Sequence, residues 1–246
     1  MKSPVIITIA VFVTGSLSAQ NTVNRTIPIK TSQVLRMKFD YPVVKVSTWD
    51  KNEISILGKV LINGGESNDA LLITSTNSGN TVTIEGAIKN FESIPRRVTI
   101  EKDGQKMVFK NRAEWEKYSE EHGRSSTRMS DGVDIDIVLE IKVPHGTDTS
   151  VESVYGLIEI KNFSGPLHAE SIYGGVDASL AERSIGELVA ETNYGHIYSN
   201  LSLVLDSKDV KGEDFHTYVS AKPGNGPKVS FESKYGNVYL RKQINN

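Results

Sequence analysis

Four copies of a five-residue motif place a carboxylate, a small hydroxyl and a phenol at fixed spacing in the C-terminal part of the chain. Each copy runs Glu, Ser or Thr, a variable residue, Tyr and Gly. If the copies stack as neighbouring strands about 4.8 Å apart, their carboxylates come close enough to share a divalent cation. Such a row could also supply the carboxylate pair of a glycoside hydrolase, although a solvated acidic stripe is the simpler interpretation. The candidate residues are Glu152, Tyr155 and Gly156; Glu170, Tyr173 and Gly174; Glu191, Tyr194 and Gly195; and Glu232, Tyr235 and Gly236.

The spacing of the motif tyrosines indicates the architecture that must carry them. Successive tyrosines are 18, 21 and 41 residues apart, and the last step is close to two of the shorter ones. A fixed period of about 20 residues is typical of a stack of similar short units. Each unit has room for two strands and two turns, so the sequence predicts one coil of a β-solenoid per copy. The range 203–224 would then hold a degenerate or enlarged coil.

Alternation within the motif predicts which side chains share a face. The residue before each glutamate is apolar, and the hydroxyl residue and the tyrosine follow at steps of two, as in Val151, Ser153 and Tyr155. In a strand such residues point the same way, with the glutamates opposite. The next apolar residue, for example Ile158, comes three residues after the tyrosine. A corner is therefore expected at the glycine, which accepts backbone angles that other residues avoid. The pattern leaves open whether the tyrosines face the core or the solvent.

The whole chain divides into four ranges. Residues 1–19 are predicted to be a signal peptide, because a positive start precedes a short apolar stretch and small residues. Alternating runs separated by turn residues predict β-strands over 20–89. The range 90–132 is interpreted as an insertion with one short helix, and 133–246 as the solenoid repeats. One continuous all-β domain from 20 to 246 is expected.

The insertion contains the helix signals. Asn111 and Glu114 form a capping-box-like pair, and Gly123 can end the helix. His122 falls on the apolar stripe of this helix and is interpreted as a packing residue. The polar range 125–132 that follows is expected to be a loop.

Composition and motifs argue against several classes of function. The formal net charge is −2 with both signs interspersed, whereas a nucleic-acid binder would show a basic face. Without cysteine the chain has neither disulfides nor thiolate metal sites. It contains no hydrolase elbow, metalloprotease helix or phosphate-binding loop. The sequence therefore predicts no catalytic residues, no cofactor, no metal and no nucleic-acid partner.

Histidines and aspartates outside the motif are weaker candidates. Exposed strand or turn positions are the expectation for the scattered histidines, and Asp131, Asp134 and Asp136 resemble a calcium-binding cluster. Asp134 and Asp136 also simply fill the polar face of a strand that Pro144 ends. The histidines are His122, His145, His168, His196 and His216.

Three features resemble bacterial putative-adhesin domains, which are β-strand-repeat proteins related to auto-transporter adhesin head domains. They are the range 44–56, a strand that ends in Val143-Pro144, and the repeated Ser-x-Tyr-Gly-x-Ile units. The resemblance covers roughly 25–240 and implies a β-repeat fold. Most members have no known function, and no catalytic residues come with the family.

The leading hypothesis is an exported, non-enzymatic cell-envelope protein of the bacterial periplasm or cell surface. Its repeats would present a surface for adhesion, binding or structural support, and its partner would be an envelope protein or a glycan. No segment of the mature chain is apolar over the length that a membrane helix needs. A carbohydrate-active or carbohydrate-binding β-helix is one alternative, and a periplasmic sensing or regulatory module is another.

Overall fold

The computed structural model describes residues 22–123, 128–207 and 215–243, so the predicted signal peptide lies outside the described residues. The described chain is mostly β-strand with one α-helix, α1 (Arg112–His122). The strands in chain order are β1 (Thr22–Pro28), β2 (Val34–Phe39), β3 (Val43–Trp49), β4 (Glu53–Ile62), β5 (Leu71–Ser78), β6 (Thr81–Ile88), β7 (Arg97–Lys102), β8 (Gln105–Phe109), β9 (Arg128–Gly132), β10 (Ile135–Pro144), β11 (Thr149–Ser153), β12 (Ile158–Ile160), β13 (Leu167–Ser171), β14 (Val176–Leu180), β15 (Glu187–Thr192), β16 (Ile197–Ser199), β17 (Asp206–Ser207), β18 (Thr217–Ala221), β19 (Lys228–Ser233) and β20 (Val238–Lys242).

Two large mixed sheets and one small sheet contain these strands. The first sheet has the order β1-β4-β10-β3-β12-β14-β20-β16, and the second has β17-β18-β15-β19-β13-β11-β2-β6-β5. The small sheet has the order β8-β7-β9. Each motif copy ends a strand of the second sheet and leads into a strand of the first, for example from β11 to β12. The all-β prediction is confirmed, while the β-solenoid stays a prediction.

One hydrophobic cluster combines buried valine, isoleucine and leucine side chains from both large sheets. The cluster forms because apolar and polar side chains alternate along the strands, as in the predicted strand β10. Ile137, Leu139 and Ile141 are buried there, while Asp136 and Glu140 on the other face are exposed. Because side chains on a strand point alternately to its two faces, every second residue of the repeat strands also enters this core.

The strands that carry the motif stack in an order that differs from their order in the chain. In the second sheet β19 lies between β13 and β15, and in the first sheet β20 lies between β14 and β16. The fourth motif copy is therefore inserted between the second and the third. The range 203–224, expected to hold a degenerate coil, instead supplies β17 and β18 to the edge of the second sheet. There β18 runs antiparallel to β15, so the described part of this range is not a further coil of the stack, and 208–214 lie outside the described residues.

The insertion folds around a small core of its own. Its helix is as predicted, since the Asn111 side chain accepts a hydrogen bond from the Glu114 backbone N–H at 3.0 Å and Gly123 follows the last turn with φ 80°. The loop expected over 125–132 is wrong for 128–132, where β9 pairs with β7, and 125–127 lie outside the described residues. Trp115 and Tyr118 of α1 pack against the three residues of this core. These are Val98, Ile100 and Phe109.

Among the described helical residues, none forms a helix with the length and hydropathy required to cross a membrane.

Candidate binding surface

The parallel register brings the four motif copies into line. Strands β11, β13, β19 and β15 pair so that each motif residue meets its equivalent on the next strand. We call each level of this stack a rung. The four acids form one continuous row, called the glutamate row, which in spatial order is Glu152, Glu170, Glu232 and Glu191.

The strand part of each motif ends at its hydroxyl residue, and this changes where the tyrosine points. Val151 and Ser153 are buried, as expected for residues that share the inner face. The expectation that Tyr155 shares this face is wrong, because β11 ends at Ser153 and the backbone bends before the tyrosine. The same correction applies to the other copies. The tyrosines are 45–58% exposed; they are Tyr155, Tyr173, Tyr194 and Tyr235.

The buried hydroxyls hold the bend together. The Ser233 hydroxyl accepts a hydrogen bond from the Gly236 N–H at 2.9 Å and donates one to the Gly174 carbonyl at 3.0 Å on the neighbouring rung. Thr192 does the same with the Gly195 N–H at 3.0 Å and the Gly236 carbonyl at 2.9 Å. These two hydroxyls each satisfy backbone groups of two rungs, while the Ser153 hydroxyl accepts from the Gly156 N–H at 3.0 Å and the Ser171 hydroxyl donates to the Gly156 carbonyl at 3.1 Å. Hydrogen bonding to the backbone at the bend explains why every motif has a small hydroxyl residue here.

The motif glycines are needed for space rather than for unusual backbone angles. None of the four has a positive φ, so that part of the sequence interpretation is wrong. A Cβ atom built on Gly174 would lie 2.2 Å from the Gly156 carbonyl oxygen, and one on Gly236 would lie 1.5 Å from that of Gly174. Any side chain here would push neighbouring rungs apart.

The exposed tyrosines stack face to face across the rungs. Tyr155, Tyr173, Tyr235 and Tyr194 follow one another with ring centroids 5.1–5.2 Å apart and planes within 10° of parallel. The backbone fixes this spacing, since the Tyr173 N–H donates to the Val154 carbonyl at 2.8 Å.

The stack continues beyond the motif at both ends. Tyr41 stacks on Tyr155 at 5.1 Å, Phe91 stacks on Tyr41 at 5.2 Å, and Phe215 lies 5.8 Å from Tyr194 at the far end. Phe215 is 68% exposed. We call this run of rings the aromatic ladder. In spatial order it comprises Phe91, Tyr41, Tyr155, Tyr173, Tyr235, Tyr194 and Phe215.

Tyr41 belongs to a further rung that does not contain the five-residue motif. Strand β2 is parallel to β11 with Phe39 opposite Ser153, and the Tyr155 N–H donates to the Asp40 carbonyl at 2.8 Å. Phe39 and Pro42 stand where the motif has its hydroxyl residue and its glycine. Val44, the next buried valine, follows Tyr41 by three residues, as Ile158 follows Tyr155. This shared spacing could have revealed the rung from the sequence.

The stacking determines which atoms of the ladder a ligand can reach. Each interior ring has a neighbour on both faces, so its edge and hydroxyl are the parts open to solvent. Burial raises the pKa of the Tyr41 hydroxyl, and Tyr155 and Asp40 nearby raise it further. The ordinary pKa of 10.0 already keeps this hydroxyl protonated at neutral pH, and the raised pKa extends that to higher pH.

None of the described lysines or arginines forms an ion pair with a carboxylate of the glutamate row, although Lys38 lies opposite Glu152 in the strand register at one end of the row. The ion-pair contacts of the row are with histidines, Glu170 with His168 at 3.7 Å and Glu191 with His216 at 3.6 Å. Burial raises the pKa of Glu232, and the adjacent carboxylates of Glu170 and Glu191 raise it further. The carboxylates are thus close enough to repel one another.

Several acids on the outer face of the first sheet, unlike those of the glutamate row, form ion pairs with lysine or arginine. Glu159 lies 3.7 Å from Lys45 and 3.5 Å from Lys161, and Asp177 lies 2.7 Å from Arg241. In the described part of the chain, the acids of the ladder region that lack a lysine or arginine ion pair therefore lie on the second-sheet side.

One part of the row has the ligand types of a metal site. Ligand atoms of His168, Glu170 and Glu232 lie within 4.8 Å of one another, and His168 Nδ1 is 2.9 Å from the Ser230 hydroxyl. A nitrogen and two carboxylates are a donor set that zinc and similar ions accept. The prediction that the chain uses no metal stays a prediction.

The remaining sequence candidates are not brought together. Asp131 pairs with Arg96, Asp134 with Lys106 and Asp136 with Lys59, so the resemblance to a calcium cluster has no common centre. The histidines are likewise dispersed. His122 stacks on Tyr118, His145 approaches Asp50 and His196 lies beside Tyr198.

Comparisons with known proteins find similar structures only. No protein-family model matches the chain, and no curated protein matches it. A putative cell adhesion protein from Clostridium sporogenes is 11% identical with a TM-score of 0.46, and the match covers 90% of this chain and 99% of that one. A putative adhesin from Bacteroides fragilis is 10% identical with a TM-score of 0.22, covering 91% and 97%. With identities and TM-scores this low, neither similarity bears on what this chain does.

Proposed function

We propose that the chain is an exported, non-enzymatic envelope protein whose repeats form a β-solenoid-like stack and present the aromatic ladder as a binding surface for adhesion. The observation that carries the proposal is the ladder itself. Its rings are in register and half-exposed. A contiguous exposed apolar strip usually marks an interaction site, and tyrosine is enriched in protein interfaces.

The ladder is also preorganised for binding. Stacked neighbours and inter-rung hydrogen bonds hold the rings, so little side-chain freedom remains to be lost when a partner binds. Export rests on the predicted signal peptide at 1–19, and the absence of enzymatic activity rests on the absence of catalytic motifs from the sequence. Both remain part of the proposal.

Carbohydrate binding is less well supported by the ring geometry. Exposed tyrosines beside carboxylates are what a sugar-binding β-helix would need. Sugars, however, pack on the faces of aromatic rings, and stacking covers both faces of every interior ring of the ladder. Ring edges and hydroxyls fit a protein partner better.

The test is a binding comparison between matched variants. The purified chain is labelled and applied to bacterial envelope fractions, separated into membrane proteins and peptidoglycan, and to a glycan array. Tyr173→Ser combined with Tyr235→Ser should abolish binding to the recognised fraction. Tyr198→Ser combined with Tyr239→Ser removes a stacked pair on the first sheet and should leave binding unchanged. Equal binding by both variants, with circular dichroism showing that both are folded, would exclude the ladder as the binding surface.

A further inference from the structure

The negative charge beside the aromatic ladder limits which class of partner can bind there. We infer that the occupant is an elongated basic segment of a partner protein, an inference that rests on the proposed function of the ladder. The glutamate row runs beside the ladder with the same rung spacing, because each glutamate precedes its tyrosine by three residues. Every motif rung therefore offers one carboxylate and one aromatic edge.

The charge next to the ladder favours cations. Of the described residues, no lysine or arginine forms an ion pair with the row, whereas Glu159 and Asp177 on the first sheet have cationic partners. Carboxylates about 4.8 Å apart repel one another, and an approaching cation removes that repulsion. The raised pKa of Glu232 is consistent with this crowding.

The ladder already holds one cation. The ammonium of Lys234 lies 5.7 Å from the ring centroid of Tyr235, beside a ring whose two faces are covered by Tyr173 and Tyr194. The variable position of the other copies is uncharged, being Val154, Ile172 or Asn193. On the rungs of Glu170 and Glu191 a basic side chain of a partner therefore meets no lysine or arginine of the same motif copy, whereas Lys38 lies opposite Glu152.

The strip is linear and one side chain wide, which favours an elongated segment over a compact ligand. Lysine and arginine have long, flexible stems that can lie along apolar ring edges while their charged ends reach the carboxylates. A second copy of this chain fits poorly, because two glutamate rows brought face to face would repel one another.

The experiment measures binding of a fluorescein-labelled peptide of alternating lysine and serine by fluorescence anisotropy. Two further peptides test the role of charge. One alternates glutamine with serine and is neutral, and the other alternates glutamate with serine and is negative. The test variant combines Glu170→Gln, Glu232→Gln and Glu191→Gln. The matched control combines Glu140→Gln, Glu159→Gln and Asp177→Asn, which makes the same change in net charge on the first sheet.

The lysine peptide should bind the unmodified chain, and added salt should weaken the complex. The row variant should weaken binding by about tenfold, from three ion pairs of ordinary strength, and the control should not. Glutamine matches glutamate in shape and removes repulsion, so the row variant should remain folded, which circular dichroism can verify.

Two results of the peptide experiment would overturn the inference. One is equal binding of the lysine and glutamine peptides. The other is unchanged affinity of the row variant for the lysine peptide. If Tyr173→Ser combined with Tyr235→Ser still abolishes binding to an envelope fraction in either case, the ladder remains the binding surface and only the basic partner is wrong. Preferential binding of an oligosaccharide, or self-association through the ladder in light scattering, would likewise replace the basic segment.

Discussion

The rings of Tyr173 and Tyr235 stack with centroids 5.1 Å apart and planes 7° from parallel, although another motif copy lies between them in the chain. Tyr194, which precedes Tyr235 in sequence, stacks on its other face. The order of the rings along the ladder therefore differs from their order in the chain, because the fourth copy is inserted between the second and the third.

Removing one interior ring should destabilise the fold measurably. Tyr173 stacks on Tyr155 and Tyr235, and each aromatic pair contributes about 0.5–1.5 kcal/mol beyond the area it buries. Tyr173→Ser should lower the free energy of unfolding by about 1–3 kcal/mol in urea titrations. Tyr198, with one stacked partner, is the comparison, and Tyr198→Ser should cost about half as much. Equal losses would mean that the ladder adds no stability of its own.

A methyl group at a motif glycine should be far more disruptive than one at an open glycine. At Gly236 a Cβ atom would lie 1.5 Å from the Gly174 carbonyl oxygen, so Gly236→Ala forces two rungs apart. The expected loss exceeds about 4 kcal/mol, which would be visible as a large drop in Tm or a failure to refold. Gly132 has nothing within 4 Å of its Cβ position, and Gly132→Ala should be nearly neutral. A mild effect at Gly236 would contradict the close approach of the rungs.

The buried hydroxyls should be replaceable by one another but not by a methyl group. Ser233→Ala leaves the Gly236 N–H and the Gly174 carbonyl without their partner and should cost about 2–4 kcal/mol. Thr192 makes the equivalent contacts in its own copy, so Ser233→Thr should retain most of the stability. Chemical denaturation of both variants checks this. If threonine were as damaging as alanine, shape rather than hydrogen bonding would explain the motif.

Protonation of Glu232 should stabilise the fold. Its pKa is raised above the usual 4.5 by burial and by Glu170 and Glu191, with His168 acting in the opposite direction. The stabilising contribution is fully present below the unfolded-state pKa and is lost as the pH rises through the folded-state pKa. Glu232→Gln should therefore be more stable than the unmodified chain at neutral pH, and the difference should vanish in acid. Thermal unfolding across this pH range measures the difference, with Glu140→Gln as the control. If the row were fully hydrated, Glu232→Gln would have the same stability as the unmodified chain at every pH.

Local patterns predicted the elements that depend on local chemistry. The capped helix at Asn111 and the alternating strand around Leu139 follow from hydrogen bonding and side-chain periodicity between residues near in sequence, and the in-register glutamates follow from the similarity of the motif copies. The outward direction of Tyr155 does not follow, because a period of two holds only while the strand continues, and β11 ends at Ser153.

The order of the rungs and the rung of Tyr41 depend on long-range packing. All four motif copies have the same pairing groups, so nothing within a copy specifies its neighbour. Phe39 replaces the motif hydroxyl and packs over Gly86, where a Cβ atom would lie 2.6 Å from its ring. The rung of Tyr41 therefore has the geometry of the motif but not its amino-acid sequence.

The position of β19 and β20 also has a consequence for synthesis. The third copy has no neighbouring rung on its inner side until residues 228–242 have left the ribosome, because those residues form the rung it pairs with. A growing chain can pair the early rungs in the order of synthesis, but the rungs of the third and fourth copies can pair only after both have been synthesised. Parallel pairing over such a sequence distance is slow, so a nascent chain that stalls before residue 228 leaves an open strand edge for chaperones or proteases.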